Sequence, residues 1–450
     1  MEQLEITTLA LVICVTCLVF LFVWKKSHKG LGKLPPGPTP LPIIGNLMQL
    51  NLKDIPASLS KLAKQYGPVY TLYLGSQTTV VLHGYEAVKE ALIDQGDEFL
   101  GRARIPIIDD TQRGYGLFFS NGDAWKQMRP FSLMTLRDFG MGKRSLEERI
   151  QEEAQFLVEE LRKSEAQPFN PALTLSCATC NVICSILFNE RFHYNDKTLH
   201  SLLDLAFSKR LKGVHYFVLK KVKKHQKSLN HNNPRDYIDC FLSRMEQEKQ
   251  NPESEFHLET LATCGSNLFS AGVETTTATL SYGFLLLMKY PEVQAKVHEE
   301  IDRVIGLTRS PCMKDKMKLP YTEAVLHEIQ RYITLIPSNL PHTVVRDTKF
   351  RQYVIPKGTT VLPLLSSILY DCTEFPNPEK FDPGHCLDKN GKWACVGEGL
   401  AHMELFLFFT TILQNFVLKS LGETKDIETK PIVTGFINMP PPFKLCLIPR

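Results

Sequence analysis

The 450-residue sequence has no marked excess of either charge. Its 52 lysines and arginines stand against 48 aspartates and glutamates, a net charge of +4. That near-balance argues against the concentrated basic face of a nucleic-acid binder, so no nucleic-acid partner is expected. Internal repeats and low-complexity tracts are absent, and no shift in composition marks a second soluble domain. With 43% hydrophobic and 22% charged residues, the chain is neither disordered, collagen-like nor a disulfide mini-protein. Cys177, Cys180 and Cys184 share one helical face, but no second Cys or His pair joins them as a zinc site would require. Packed core thiols are the competing explanation, since free cysteine behaves as a small hydrophobe.

Charge is also missing from Ile6 to Trp24, a run of leucine, valine, isoleucine and phenylalanine. At about 1.5 Å rise per residue such a run approaches the ~30 Å hydrocarbon core of a bilayer. Glu2 and Glu5 precede it, and Lys25, Lys26, Lys29 and Lys33 follow it, which places the basic flank in the cytosol. A cleaved signal peptide is the alternative, against which stand the length of the run and the lack of a small-residue cleavage site. The expected organisation is an anchor over 1–25, a basic and proline-rich connector over 26–40, and one large domain over 41–450. The connector contains Leu34-Pro35-Pro36-Gly37-Pro38, a stiff extended spacer.

Within 41–450, helical periodicity dominates. Alternation over 69–74 and 78–82 around Gly75-Ser76-Gln77 predicts a hairpin. Helices are expected over 147–163 and 174–188, the second apolar on all sides and therefore buried. Pro234 is expected to open a helix running towards Lys249, and 257–289 reads as one long helix ended by Pro291. Short β runs are expected around Pro356-Lys357-Gly358 and over 443–448. The fold class is mostly α with a small β part.

Four short constellations carry chemistry. Ala271-Gly272-Val273-Glu274-Thr275-Thr276 lies in the middle of the long helix, where glycine and threonine are poor helix formers. A threonine hydroxyl there can bond a carbonyl one turn back. Such residues suit either a flat ligand close to the backbone or a helix crossing. Glu328 and Arg331 are neighbours at i, i+3 on an amphipathic helix and can pair. Trp125 and Arg129 place an indole and a guanidinium one turn apart, both able to bond an anionic group. In Cys395-Val396-Gly397-Glu398-Gly399, followed by a helical run over 402–416, a thiolate before a helix start gains from the positive dipole end. The glycines, Gly397 among them, allow a planar group to lie close.

Together and in this order the four constellations resemble one family, the cytochrome P-450 haem-thiolate monooxygenases. The resemblance covers essentially the whole chain. Leu41-Pro42-Ile43-Ile44-Gly45-Asn46, Leu82-His83-Gly84-Tyr85-Glu86-Ala87-Val88-Lys89-Glu90-Ala91-Leu92, Phe119-Ser120-Asn121-Gly122 and Phe375-Pro376-Asn377-Pro378 are similar to the microsomal mammalian second family, and to its C subfamily above all.

The resemblance implies a cytochrome P-450 fold behind a transmembrane helix, anchored in the endoplasmic reticulum membrane with the catalytic domain on the cytosolic face. It implies haem b (iron protoporphyrin IX), with Cys395 as the iron ligand. Ala271, Gly272, Glu274 and Thr275 would form the oxygen-binding groove, with Thr275 and Glu274 delivering protons. Arg102, Trp125, Arg129 and His342 would hold the propionates, and His385 would be third partner to Glu328 and Arg331. Electrons would come from NADPH through cytochrome P-450 reductase, with cytochrome b5 as a second donor. The partner would meet a basic face including Lys126, Arg129 and Arg137. Substrates would be lipophilic: drugs, fatty acids such as arachidonate, or steroids.

The sequence also departs from the family. Members precede the cysteine by Phe-x-x-Gly-x-Arg-x-Cys, whereas Asp388, Gly391 and Trp393 stand at those places here. The link from Asp382-Pro383-Gly384-His385 to Cys395 is short, Cys386 replaces a usual phenylalanine, and His402 stands where a basic residue is expected. A second shortening follows Lys209-Arg210-Leu211, in the roof of the substrate pocket. Pro130 interrupts the helix carrying Trp125. Two readings follow: an active monooxygenase with weakened haem binding, or a haem-deficient, non-catalytic variant retained on the membrane.

Overall fold

A computed structural model of the chain describes residues 8, 11–17, 34–105, 108, 112–138, 144–207, 211–386, 397–432 and 437–450. From Ile55 on, the described α-helices begin with α1 (Ile55–Tyr66), α2 (Tyr85–Lys89), α3 (Gly122–Asp138), α4 (Arg144–Arg162) and α5 (Ala172–Phe188). They continue with α6 (Lys197–Phe207), α7 (Leu211–Gln226), α8 (Tyr237–Gln247) and α9 (Leu258–Lys289). The remainder are α10 (Pro291–Val304), α11 (Pro320–Ile333), α12 (Ser366–Leu369) and α13 (Glu398–Asn415). Helix therefore predominates, as the periodicity requires. The fold divides into two compact units.

The first unit comprises residues 1–103, 336–371 and 433–437. Its sheet runs β1 (Val69–Leu74), β2 (Gln77–His83), β7 (Thr360–Leu364), β4 (His342–Thr343), β3 (Gly101–Arg102). The expected hairpin is present, with Val69 opposite Leu82 and Leu74 opposite Gln77. β2 and β7 pair in parallel, and the Pro356-Lys357-Gly358 turn leads from β6 (Tyr353–Ile355), paired with β5 (Thr348–Phe350), into β7. Two small cores cover the sheet, one around Val80, Phe99 and Phe350, the other around Leu59, Tyr70 and Val81. The proline-rich connector does not stand free. Thr71 N and Thr71 Oγ1 donate to the carbonyls of Pro36 and Pro35 at 2.8 Å each. Prolines have no N–H but keep their carbonyls, so they can join a strand only as acceptors. A Cβ on Gly37 would overlap the Thr71 carbonyl, so only glycine permits this approach.

The expected anchor over 1–25 lies largely outside the described residues, of which 11–17 are helical. No helix among the described residues is long and apolar enough to cross a membrane.

The second unit comprises residues 104–335, 372–432 and 438–450. Its centre is α9, whose 32 residues span about 48 Å. The His257 ring accepts from Thr260 N at 3.3 Å and caps its start. α5 packs along α9 and is buried on nearly every side, as its unbroken apolar composition demands. α13, carrying Phe406, Phe408 and Phe409, completes the core, and β8 (Phe416–Lys419) pairs with β9 (Cys446–Pro449) at its edge. One helix start differs from expectation: α8 begins at Tyr237, not at Pro234. The Asp236 carboxylate accepts from Asp239 N at 3.0 Å, and this N-cap overrides the preceding proline as the start signal. Pro130 is exposed inside α3, where its ring meets solvent and the helix continues past it.

Candidate functional site

Between residues 260 and 288, α9 is buried except at Leu268, Ser270, Ala271, Gly272, Glu274 and Thr275. Leu268, Ala271, Gly272 and Thr275 recur at helical spacing, so the accessible surface forms a stripe. Thr275 Oγ1 donates to the Ala271 carbonyl at 2.6 Å. That bond commits the hydroxyl proton and leaves its lone pairs as acceptors. Ser270 Oγ, on the edge of the stripe, has no hydrogen-bond partner among the described residues. Gly272 also serves a second purpose. A Cβ there would overlap Ile183 Cδ1 of α5 and come within 2.6 Å of Cγ1, so this glycine permits the helix crossing while lying on the stripe with Ala271 and Thr275.

Beside the stripe, Thr276 is buried and bonds Glu404 of α13. Burial pushes the Glu404 carboxyl up to about 8, the Thr276 bond acting against it, so the group is neutral at pH 7. Its Oε1 has no partner among the described residues. The sequence reading passes over Glu404, although it is a lone acid in the apolar run Met403-Glu404-Leu405-Phe406.

Glu328 and Arg331 form a buried, two-pronged pair. Arg331 Nε and Nη2 donate to the carboxylate at 2.7 and 2.9 Å. Arg331 Nη2 also donates to the carbonyls of Pro378 and Lys380. Asp382 N donates to Glu328 Oε1 at 3.0 Å, and His385 Nδ1 lies 3.0 Å from the same oxygen. His385 Nε2 reaches the Pro376 carbonyl at 2.7 Å. His385 is thus the third member of the cluster, which pins the chain that leads towards Cys395.

Still in the second unit, Arg129 stacks over Trp125 at 5.6 Å on the half-buried side of α3. Lys126 is exposed and pairs with Asp123 at 3.2 Å; Arg137 is exposed in the last turn. Gly397 caps α13, its carbonyl accepting from Ala401 N at 2.8 Å. Cys395 itself lies outside the described residues, as do Asp388, Gly391 and Trp393.

In the first unit, β3 and β4 bring Arg102 and His342 together, with Arg102 Nη1 2.8 Å from His342 Nε2. The His342 Nδ1 lies 2.7 Å from the Phe99 carbonyl. Burial, and then the Arg102 charge, hold the imidazole down at about 4, against the Phe99 bond. The neutral ring therefore donates from Nδ1 to Phe99 and accepts at Nε2 from Arg102. The resemblance assigns His342 to a propionate; in this structure its two nitrogens face the Phe99 carbonyl and the Arg102 guanidinium.

In the second unit, the stripe at Leu268, Ala271, Gly272 and Thr275 leaves the middle of α9 partly accessible, and Trp125 and Arg129 carry N–H donors suited to an anionic group. In the first unit, taken by itself, Arg102 carries a guanidinium held against His342. Burial pushes Cys177 and Cys264 up to about 12 and Cys180 well above its ordinary value, as expected of packed thiols.

The sequence matches the family model described as Cytochrome P450 in two stretches, residues 35–209 and 206–447. It is 67% identical to Cytochrome P450 2C23 of Rattus norvegicus over 495 aligned positions, with 100% of both chains covered. Cytochrome P450 2C44 of Mus musculus is 65% identical with the same coverage. Cytochrome P450 2C11 of Rattus norvegicus is 55% identical over 98% of this chain and 97% of its own length. An alignment of 495 positions exceeds the 450 residues of this chain by 45, so at least that many positions face gaps in it. The two matched stretches meet at 206–209, beside the shortening read after Lys209-Arg210-Leu211.

Proposed function

Given that this chain belongs to the cytochrome P450 family, with relatives of the 2C kind, we propose that it is a membrane-bound monooxygenase acting on lipophilic substrates. The reaction inserts one oxygen atom of O₂ into drugs, fatty acids such as arachidonate, or steroids, and reduces the other to water. Electrons come from NADPH through cytochrome P-450 reductase, with cytochrome b5 as a further donor. The 1–25 segment anchors the chain in the endoplasmic reticulum membrane. The observation that best supports this reading is the partly accessible stripe through Leu268, Ala271, Gly272 and Thr275 on a helix otherwise largely buried between residues 260 and 288.

Cys395 would ligate the iron of haem b, and Ala271 and Gly397 would flank the ring. By the resemblance, Arg102, Trp125, Arg129 and His342 would hold the propionates. Bound haem supplies dioxygen activation, which a thiolate ligand favours by pushing electron density onto the iron. The protein supplies positioning and protons. Thr275 Oγ1 keeps free lone pairs towards the stripe while its proton rests on the Ala271 carbonyl. Glu274, one residue away and half-buried, carries the carboxyl that moves a proton to it. Glu328, Arg331 and His385 fix the approach to Cys395.

The test is optical. The purified full chain, reduced and exposed to carbon monoxide, should show the red-shifted Soret band of a thiolate-ligated haem. Cys395→Ala should abolish that band; its survival would show the ligand assignment to be wrong.

A second reading draws on the gaps in the alignment and on the missing phenylalanine and arginine before Cys395. Loss of one buried propionate partner costs on the order of 1–3 kcal/mol. In that reading the chain stays on the membrane without haem and without turnover. An unmodified protein that takes up no haem and never gives the band would establish it.

A further inference from the structure

Away from these residues, the last turn of α7 meets the first turn of α8 through three buried side chains. His225 is 5% exposed and Asp236 and Asp239 are 0% exposed. The His225 Nδ1 lies 2.9 Å from Asp239 Oδ1 and 3.4 Å from Asp236 Oδ2. The one atom each offers falls within 4.8 Å of the others, and theirs is the one such trio among the described residues. Asp239 Oδ2 is already held, by Arg235 Nε at 2.6 Å and Arg235 N at 3.1 Å. Asp236 Oδ1 is also occupied, accepting Asp239 N at the helix cap. Asp236 Oδ2, by contrast, is sealed from solvent and has no hydrogen-bond partner among the described residues.

An unbonded carboxylate oxygen in a fully buried residue is costly, and a native fold rarely leaves one. Two carboxylates against the single Arg235 guanidinium leave the trio one charge negative when the imidazole is neutral. The missing partner is positive and small.

We propose that His225 Nδ1, Asp236 Oδ2 and Asp239 Oδ1 form a binding site for one divalent transition-metal cation of the zinc class. One nitrogen and two oxygens suit that ion, whereas calcium and magnesium favour all-oxygen shells of six or more ligands. Zinc bonds of about 2.0–2.2 Å place tetrahedral ligands roughly 3.3–3.6 Å apart; the 3.4 Å from His225 to Asp236 matches this, and the 2.9 Å from His225 to Asp239 widens by a few tenths of an ångström on binding. Arg235 Nη2, 3.0 Å from Asp239 Oδ1 and 3.4 Å from His225 Nδ1, stands in the way. Its side chain is 38% exposed, so that end can swing into solvent while Nε keeps orienting the carboxylate from outside the ligand set. Metal entry displaces the Nδ1 proton and any proton on Asp236 to solvent. The bound cation staples the end of α7 to the start of α8 across the intervening loop.

The test uses the untagged full chain, haem-loaded where it takes haem, with zinc chloride as probe and magnesium chloride as comparison. Bound zinc per chain is measured by elemental analysis after gel filtration, and the unfolding midpoint is followed with and without each salt. Asp236→Asn keeps the cap oxygen and removes the charge; His225→Gln removes the nitrogen ligand and covers the case in which the first variant fails to fold. The native chain should retain about one more equivalent of zinc than either variant. Its midpoint should rise by roughly 2–5 °C with zinc in hundredfold excess over its Kd, and not with magnesium. Because the chain's thiols also bind zinc, only the difference between native and variant counts. Equal zinc content in native and variant, or a zinc-dependent rise that a variant keeps, overturns the proposal.

Discussion

His342 Nε2 lies 2.8 Å from Arg102 Nη1 while its Nδ1 lies 2.7 Å from the Phe99 carbonyl, so the neutral ring steadies the guanidinium. Its role depends on staying neutral. The folded imidazole titrates at about 4 against an ordinary 6.5, so between those values the unfolded chain binds the extra proton. Stability should therefore fall as pH drops from about 6.5 to 4. After allowance for solvent screening the loss is about 1–2 kcal/mol. Unfolding midpoints of the native chain and His342→Asn across this range measure it: the native curve should be the steeper, and parallel curves would remove His342 from the account.

Glu404 has the opposite sign. Its folded value of about 8 lies above the ordinary 4.5, so its stabilising contribution is complete below about 4.5 and is lost as pH rises through 8. Glu404→Gln keeps the shape and cannot ionise. Thermal melts should place it level with the native chain near pH 5 and above it beyond pH 8. A gap of the same size at both ends would refute the titration.

Gly272→Ala should destabilise the chain by about 1–3 kcal/mol through overpacking against Ile183. Ile183→Val removes Cδ1, the atom nearest the new methyl, so the double variant should recover part of the loss. Denaturant titrations of the four combinations give the coupling. Additive effects would separate the two residues.

Breaking the Glu328–Arg331 pair from one side leaves a buried charge alone, at a cost of about 3–5 kcal/mol. Arg331→Ala should fall in that range or fail to accumulate. His385→Ala removes one of the neighbours of Glu328 Oε1 and should cost less, about 1–3 kcal/mol. Chemical denaturation ranks the two, and the reverse order would contradict the geometry.

These residues also show how far a sequence can be read. Glu328 and Arg331 are visible because i, i+3 spacing is local. The carbonyl partners of Arg331 at Pro378 and Lys380 are not, since every residue carries a carbonyl and only the fold selects which one arrives. The purpose of Gly272 lies on another helix, so the sequence allows a ligand or a crossing and α5 decides. Proline at 234 and aspartate at 236 both announce a helix start; the side-chain bond of Asp236 settles it at Tyr237. The two compact units leave no trace in composition because the chain passes between them several times, with no single polar linker. Cys395 is named through resemblance alone.

The sealed thiols of α5 and α9 can be used to time the molecule's breathing. Cys177, Cys180, Cys184 and Cys264 are all buried, whereas Cys372 is exposed. A thiol reagent meets Cys372 at once but meets the other four only when the helices part. Their modification rate therefore records how often the interior opens, residue by residue, in the same sample that is being assayed.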